Sequence, residues 1–174
     1  YTSPHWPMQA PARDIARHQG RYDAGYTPIR AARWERQQQL GVVRPEWGLS
    51  PQAEDFAAVK DKAFEARCME VYAAMLANMD HHIGRVIDHL ETTGQLDNTL
   101  VFFLSDNGAE PVELGALVES VFSAEAKKWF FENFDTRPEN WGRKGSATDY
   151  GAAWAQVGST PFRLYKAWPT EGGI

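Results

Sequence analysis

The most strongly patterned stretch runs from about Ala63 to Thr93. Apolar residues at Cys68, Tyr72, Met75, Met79, Ile83, Val86 and Leu90 recur at steps of three and four, the spacing that turns one face of an α-helix into a core. Cys68 lies in that row and reads as a buried, inert core residue, as do Met69, Met75 and Met79. Gly94 ends the pattern, and Gln95 to Asn98 form a short connection. A different pattern follows. Thr99 to Leu104 (TLVFFL) is β-branched, aromatic or Leu throughout, with no charge and no polar alternation. That suits a strand buried on both faces, as in a parallel sheet covered by helices. Helix, short loop and buried strand make one α/β unit. The fold class expected is α/β: part of a mainly parallel central sheet flanked by helices, incomplete at both ends.

Weaker patterns fill in the rest. Tyr1 to Pro7 reads as the exit of a strand into a loop, with Pro4 and Pro7 keeping the backbone around His5 and Trp6 extended. Residues 8–28 read as irregular, punctuated by Pro11, Gly20, Gly25 and Pro28. Ile29 to Leu40 is rich in Ala, Arg, Glu and Gln and reads as a helix stopped by Gly41. Its Arg30, Arg33 and Arg36 share a face, read as solvated or as a subunit contact. Ser50-Pro51 has the form of a helix start. Val112 to Phe134 reads as largely helical, with Leu114, Leu117, Val118, Val121 and Phe122 on one face and Trp129, Phe130, Phe131 and Phe134 at an aromatic end. Residues 135–160 read as turn-rich. Gly172-Gly173-Ile174 looks like a strand beginning, and the chain as a whole like an internal piece of a longer protein.

Composition narrows the function classes. Of 174 residues, 43% are apolar and 24% charged, an ordinary globular balance, and mean hydropathy is -0.50. Lys plus Arg number 18 and Asp plus Glu 23, a net charge of -5. That offers no nucleic-acid footprint, which needs a basic excess on one face. The one cysteine excludes a disulfide framework and a cysteine-based zinc site. No apolar run is long enough for a membrane-spanning helix.

The chemistry concentrates where the apolar run stops, at Ser105-Asp106-Asn107-Gly108. In open α/β sheets, ligands bind beyond the carboxyl ends of strands. Asp106 and Asn107 offer hard oxygens suited to Ca²⁺ or Mg²⁺, and Gly108 permits a turn with positive φ. The same residues are also ordinary turn chemistry. If His5 and Lys166 reach the same edge, the cation and Lys166 would attract a multi-oxygen anion, and His5 could donate a hydrogen bond or a proton. That set suits hydrolysis of a sulfate or phosphate ester. A nucleophile is missing from it, as are enough carboxylates to complete a calcium shell. Asp80, His81 and His82 lack the i, i+4 spacing of a helical metal pair.

Ser3-Pro-His-Trp-Pro7, the helix with Asn78-Met-Asp80 and Ile83-Gly-Arg-Val86, and Leu96 through Gly108 together resemble the type I sulfatases of the alkaline phosphatase superfamily, bacterial arylsulfatases in particular. Gly20-Arg-Tyr-Asp-Ala-Gly25, Tyr150-Gly-Ala-Ala-Trp154, Arg163-Leu-Tyr-Lys166 and Glu171-Gly-Gly-Ile174 extend the resemblance, which is weakest at 44–62 and 111–140. The resemblance implies that Asp106 and Asn107 are two ligands of an active-site Ca²⁺, and that His5 and Lys166 contact the sulfate ester from opposite sides as catalytic and substrate-binding residues. It implies a formylglycine nucleophile, made from Cys or Ser in a Cys/Ser-x-Pro/Ala-x-Arg motif. No such motif occurs here, and Cys68, followed by Met-Glu-Val-Tyr, is not that residue. Residues 1–174 are therefore expected to be the central part of a sulfatase catalytic domain acting on a small-molecule sulfate ester, inactive by itself. Two alternatives stand beside this: a phosphodiesterase or phosphonate hydrolase of the same superfamily, and a non-catalytic calcium-binding or interaction domain. Whether Arg13, Arg17 or Arg143 reaches the substrate is left open.

Overall fold

The computed structural model describes residues 3–173; Tyr1, Thr2 and Ile174, and with them part of the strand exit and the strand start expected at the two ends, lie outside the described residues. Six α-helices follow in order: α1 (Ala12–Ala16), α2 (Tyr26–Gln39), α3 (Lys62–Thr92), α4 (Leu114–Val121), α5 (Ala124–Asn133) and α6 (Gly151–Gly158). No strand occurs among the described residues, and no described helix is long and apolar enough to cross a membrane.

The 31-residue helix α3 is the spine. The Asp61 carboxylate caps it by accepting from the Phe64 N–H at 2.9 Å. Its amino-terminal half supplies Cys68, Val71, Ala74 and Met75 to a core with Met8 and Ile15. On the other side of the helix, Met69 packs with Tyr26, Ala153, Trp154 and Val157. A third, smaller cluster joins Leu114, Val118 and Phe130 of α4 and α5. Beyond Met75 no residue of α3 is buried.

Several elements differ from the sequence pattern, each for an identifiable reason. Helix α2 begins at Tyr26, ahead of Ile29, because Pro28 falls in the first turn, where a missing N–H costs no helical bond; it ends before Gly41, whose φ is 70°. Ser50-Pro51 starts no helix. The guanidinium of Arg30 captures the Ser50 carbonyl and hydroxyl together with the Phe162 carbonyl, the last at 2.7 Å. Arg30 is accordingly 1% exposed and clamps two loops, whereas Arg33 and Arg36 face solvent. The 112–134 segment breaks at Ser123, whose hydroxyl accepts from the Ala126 N–H and caps α5; Phe130 is buried, but Trp129 and Phe131 are exposed. Within the span read as turn-rich lies α6. Its Ala153, Trp154, Ala155, Gln156 and Val157 are all buried, so it has no polar face for a periodicity to reveal.

Thr99 to Leu104 forms no ladder with any described segment. Thr99 is extended, with φ -122° and ψ 124°. The apolar side chains that follow face solvent, Phe102 at 78% and Leu104 at 76% exposure. A strand exists only through hydrogen bonds to a neighbouring strand, and no such partner pairs with this run among the described residues. Leu or Phe side chains are worth about 1.5–3 kcal/mol each when buried, and here that contribution is not realised.

Candidate active site

The chain bends at Asp106, Asn107 and Gly108, directly after the exposed apolar run. The Ser105 hydroxyl donates to the Asn107 carbonyl at 2.6 Å. The Asn107 side-chain N–H donates to the Gly108 carbonyl at 2.9 Å, which leaves its Oδ1 as the acceptor end. Gly108 is required for space and not for a positive φ, since its φ lies outside the left-handed region. A Cβ there would sit 2.2 Å from the Gly172 carbonyl oxygen and 2.7 Å from the Gly173 Cα. The backbone of the bend thus lies against the backbone of the final described residues.

That contact brings Lys166 to the bend. Its N–H donates to the Ala109 carbonyl at 3.0 Å, and its ammonium lies 2.7 Å from Oε2 of Glu110. The segment around Lys166 is closed on itself by Trp168 N–H to the Tyr165 carbonyl and Gly173 N–H to the Trp168 carbonyl, both at 3.1 Å. Ala167, immediately after the lysine, takes a left-handed φ of 78°, a conformation a non-glycine residue holds only where its surroundings impose it.

His5 is exposed, on a loop anchored by the buried Met8, whose N–H donates to the Thr148 carbonyl at 2.7 Å. Trp6 packs against both the Met8 and the Leu114 clusters. His5 Nδ1 is 2.6 Å from the Trp6 carbonyl oxygen. A carbonyl only accepts, so Nδ1 carries the proton and Nε2 is the nitrogen left to act. Among the described residues, no hydrogen bond or ion pair links His5 to Asp106, Asn107 or Lys166. The structure therefore joins Lys166 to the Asp106-Asn107 loop and leaves His5 on a separate loop. Arg13 and Arg17 lie near Asp14, at 3.7 and 3.4 Å, and Arg143 is exposed.

Two further groups lie at this loop that the sequence does not single out as site residues. Glu110 follows the Asp-Asn pair by only a few residues, and a carboxylate so placed was the available signal. Tyr150 opens the Tyr150-Gly-Ala-Ala-Trp154 segment of the resemblance, which assigns its hydroxyl no role; that hydroxyl accepts from the Glu110 N–H at 3.1 Å, and burial raises its pKa. Next to it, Asp149 accepts from the Leu114 N–H at 2.9 Å. Burial pushes the Asp149 carboxyl up to about 6, with nearby Glu113 adding to the shift. Cys68 is 1% exposed, and burial raises its thiol well above the usual range, the opposite of what a nucleophile needs.

The oxygens of Asp106 and Asn107 suit a hard cation. Among the described residues no group of three or more His, Cys, Asp or Glu side chains converges to complete a shell. The pair fits part of a calcium site and no more.

Comparison with known proteins identifies the class. The family model for sulfatases matches residues 1–165, and the chain belongs to the sulfatase family. It is 42% identical over its full length to an uncharacterized sulfatase of Schizosaccharomyces pombe, of which it covers 32%. It is 38% identical, again over its full length, to an arylsulfatase of Klebsiella aerogenes, of which it covers 37%. A shorter match, 34% over 58 residues, links it to a multifunctional alkaline phosphatase superfamily protein of Trinickia caryophylli, covering 33% of this chain and 11% of that protein. The chain thus spans about a third of the length of the two full-coverage relatives.

Proposed function

We propose that residues 1–174 form the central part of the catalytic domain of an arylsulfatase-type sulfuric ester hydrolase. One observation carries this reading: within a sulfatase-family chain, Lys166 is held by main chain and side chain on the loop that bears Asp106 and Asn107. Lys166 then binds a sulfate oxygen as a cation. His5, its Nδ1 committed to the Trp6 carbonyl, offers Nε2 to the ester oxygen as it leaves. Asp106 and Asn107 would hold Ca²⁺, which when bound supplies positive charge to the sulfate group. The nucleophile, a formylglycine in this reading, belongs to sequence outside these residues. Thr99 to Leu104 is taken as a strand of a mainly parallel α/β sheet whose other strands also come from elsewhere in the longer protein. The uncovered apolar side chains of that run support this.

The test is replacement of Asp106 and Asn107 by Ala in the full-length protein. Hydrolysis of 4-nitrophenyl sulfate is expected to fall by about a hundredfold or more, together with loss of bound calcium. Unchanged activity with unchanged calcium content rejects the assignment of this pair. The similarity to a multifunctional superfamily member favours one second reading, phosphodiester or phosphonate hydrolysis at the same site. Faster turnover of bis(4-nitrophenyl) phosphate than of the sulfate would select it.

A further inference from the structure

We propose that Glu110 is a positioning residue for Lys166, fixing the ammonium at the edge of the Asp106-Asn107 loop. The inference rests on the reading of Lys166 as the sulfate-binding cation. A lysine has a long, flexible stem, and holding its charge at one point requires a partner. Glu110 Oε2 is 2.7 Å from Lys166 Nζ. The carboxylate is itself held, because Oε1 accepts from the Val112 N–H at 3.2 Å. Both oxygens are therefore engaged within the protein, which sets Glu110 apart from Asp106 as a candidate metal ligand. The backbone beneath it is fixed as well. The Glu110 N–H donates to the Tyr150 hydroxyl at 3.1 Å, and the Tyr150 ring meets Tyr72 of α3 edge-on, with centroids 4.9 Å apart. A continuous path thus runs from the packed half of α3 through Tyr72, Tyr150 and Glu110 to the lysine ammonium. The pair is half-buried, with side-chain exposures of 40% for Lys166 and 26% for Glu110. Surface ion pairs of this kind add little stability, so its consequence lies in where the charge is placed.

The test is a double-mutant cycle in the full-length enzyme with 4-nitrophenyl sulfate, whose good leaving group keeps slow variants measurable. Glu110→Gln retains an acceptor for the Val112 N–H and removes the charge. It is expected to lower kcat/KM about tenfold or more, as displacement of a positioned group does. In a Lys166→Met background the same change is expected to cost less than about twofold, since nothing remains to be positioned. An equal cost in both backgrounds would show that Glu110 only supports the fold, and overturns the proposal. A silent Glu110→Gln beside a damaging Lys166→Met overturns it too, while leaving Lys166 as the sulfate-binding cation. Wild-type activity of Lys166→Met removes the reading of Lys166 itself, and the proposal with it.

Discussion

The two halves of α3 carry the same apolar spacing and meet opposite surroundings. From Ala66 to Met75 the helix buries Cys68, Met69, Val71 and Ala74 between α1, α2 and α6. Beyond Met75 the row continues through Met79, Ile83, Val86 and Leu90, yet Val86 is 53% exposed. There the helix faces a groove of about 310 Å³ lined by Leu76, Met79, Asp80, Ile83 and Phe103. A period of three and four specifies that a face seeks a partner, and says nothing of where the partner lies. For the first half the partner is within the described residues. For the second half, and for the Thr99–Leu104 run beside it, the described residues bury neither face. The candidate chemistry sits at the border. Asp106 and Asn107 follow directly on the uncovered run, while Glu110 and Lys166 tie the same loop back to the packed half through Tyr150.

The sharpest challenge to this contrast is at Trp154. Its ring is 1% exposed, its indole N–H donates to the Glu65 carbonyl at 3.1 Å, and Tyr26 meets it edge-on at 4.7 Å. Trp154→Ala in the full-length protein is expected to lose about 3–5 kcal/mol, the range for deleting a buried aromatic side chain, read from denaturant unfolding. A loss below about 1 kcal/mol would show that α6 and α3 do not form a packed core.

A smaller effect tests the other side. Leu100 and Val42 are both exposed, at 79% and 67%, and would be equally tolerant if exposure in these residues were the whole account. On the proposal that 99–104 is a sheet strand, Leu100→Ala costs about 2–3 kcal/mol in the longer protein. Val42→Ala should stay within about 0.5 kcal/mol. Equal, small losses at both positions would remove the strand assignment and with it the reason for the uncovered groove.

The sequence was most legible where local signals stood alone. The apolar row and Gly94 predict a helix from about Ala63 to Thr93, and α3 runs from Lys62 to Thr92. It misled where a residue served a distant partner. Arg30 reads with Arg33 and Arg36 as part of a solvated face or a subunit contact, but its partners, Ser50 and Phe162, are far along the chain. Helix α6 was hidden because Gly151 to Gly158 has no polar face to alternate with an apolar one. In the candidate site, the sequence and its resemblance point to Asp106, Asn107, His5 and Lys166; the structure ties Lys166 to Ala109 and Glu110, just past the Asp-Asn pair, and leaves His5 on another loop. Glu110 and the Tyr150 hydroxyl were not legible, because their roles arise from hydrogen bonds across the fold rather than from spacing. At Gly108 the sequence suggests a residue that permits a turn with positive φ, whereas the structure uses it for a close approach of two backbones.

The smallest expected effect concerns pH at the seam between α4 and α6. Asp149 accepts from the Leu114 N–H, and burial raises its carboxyl from 3.8 to about 6. A carboxyl whose folded pKa lies above its unfolded value binds more protons when folded, so its contribution to stability is greatest below 3.8 and is lost as pH rises through about 6. Glu65, also raised by burial, has the same sign. The partly exposed Asp135 has the opposite sign: hydrogen bonds from Arg137 lower it from 3.8 to about 2, so its contribution is present above 3.8 and is lost as pH falls through about 2, almost entirely below the window from 4.5 to 6.5. Asp149→Asn keeps an oxygen for the Leu114 N–H and removes the titration. Between pH 4.5 and 6.5 the wild-type protein should therefore lose on the order of 1–2 kcal/mol more than Asp149→Asn, measured by denaturant unfolding at the two pH values. Parallel pH dependences in the two proteins would show that the Asp149 carboxyl is not held neutral by the packing of this seam.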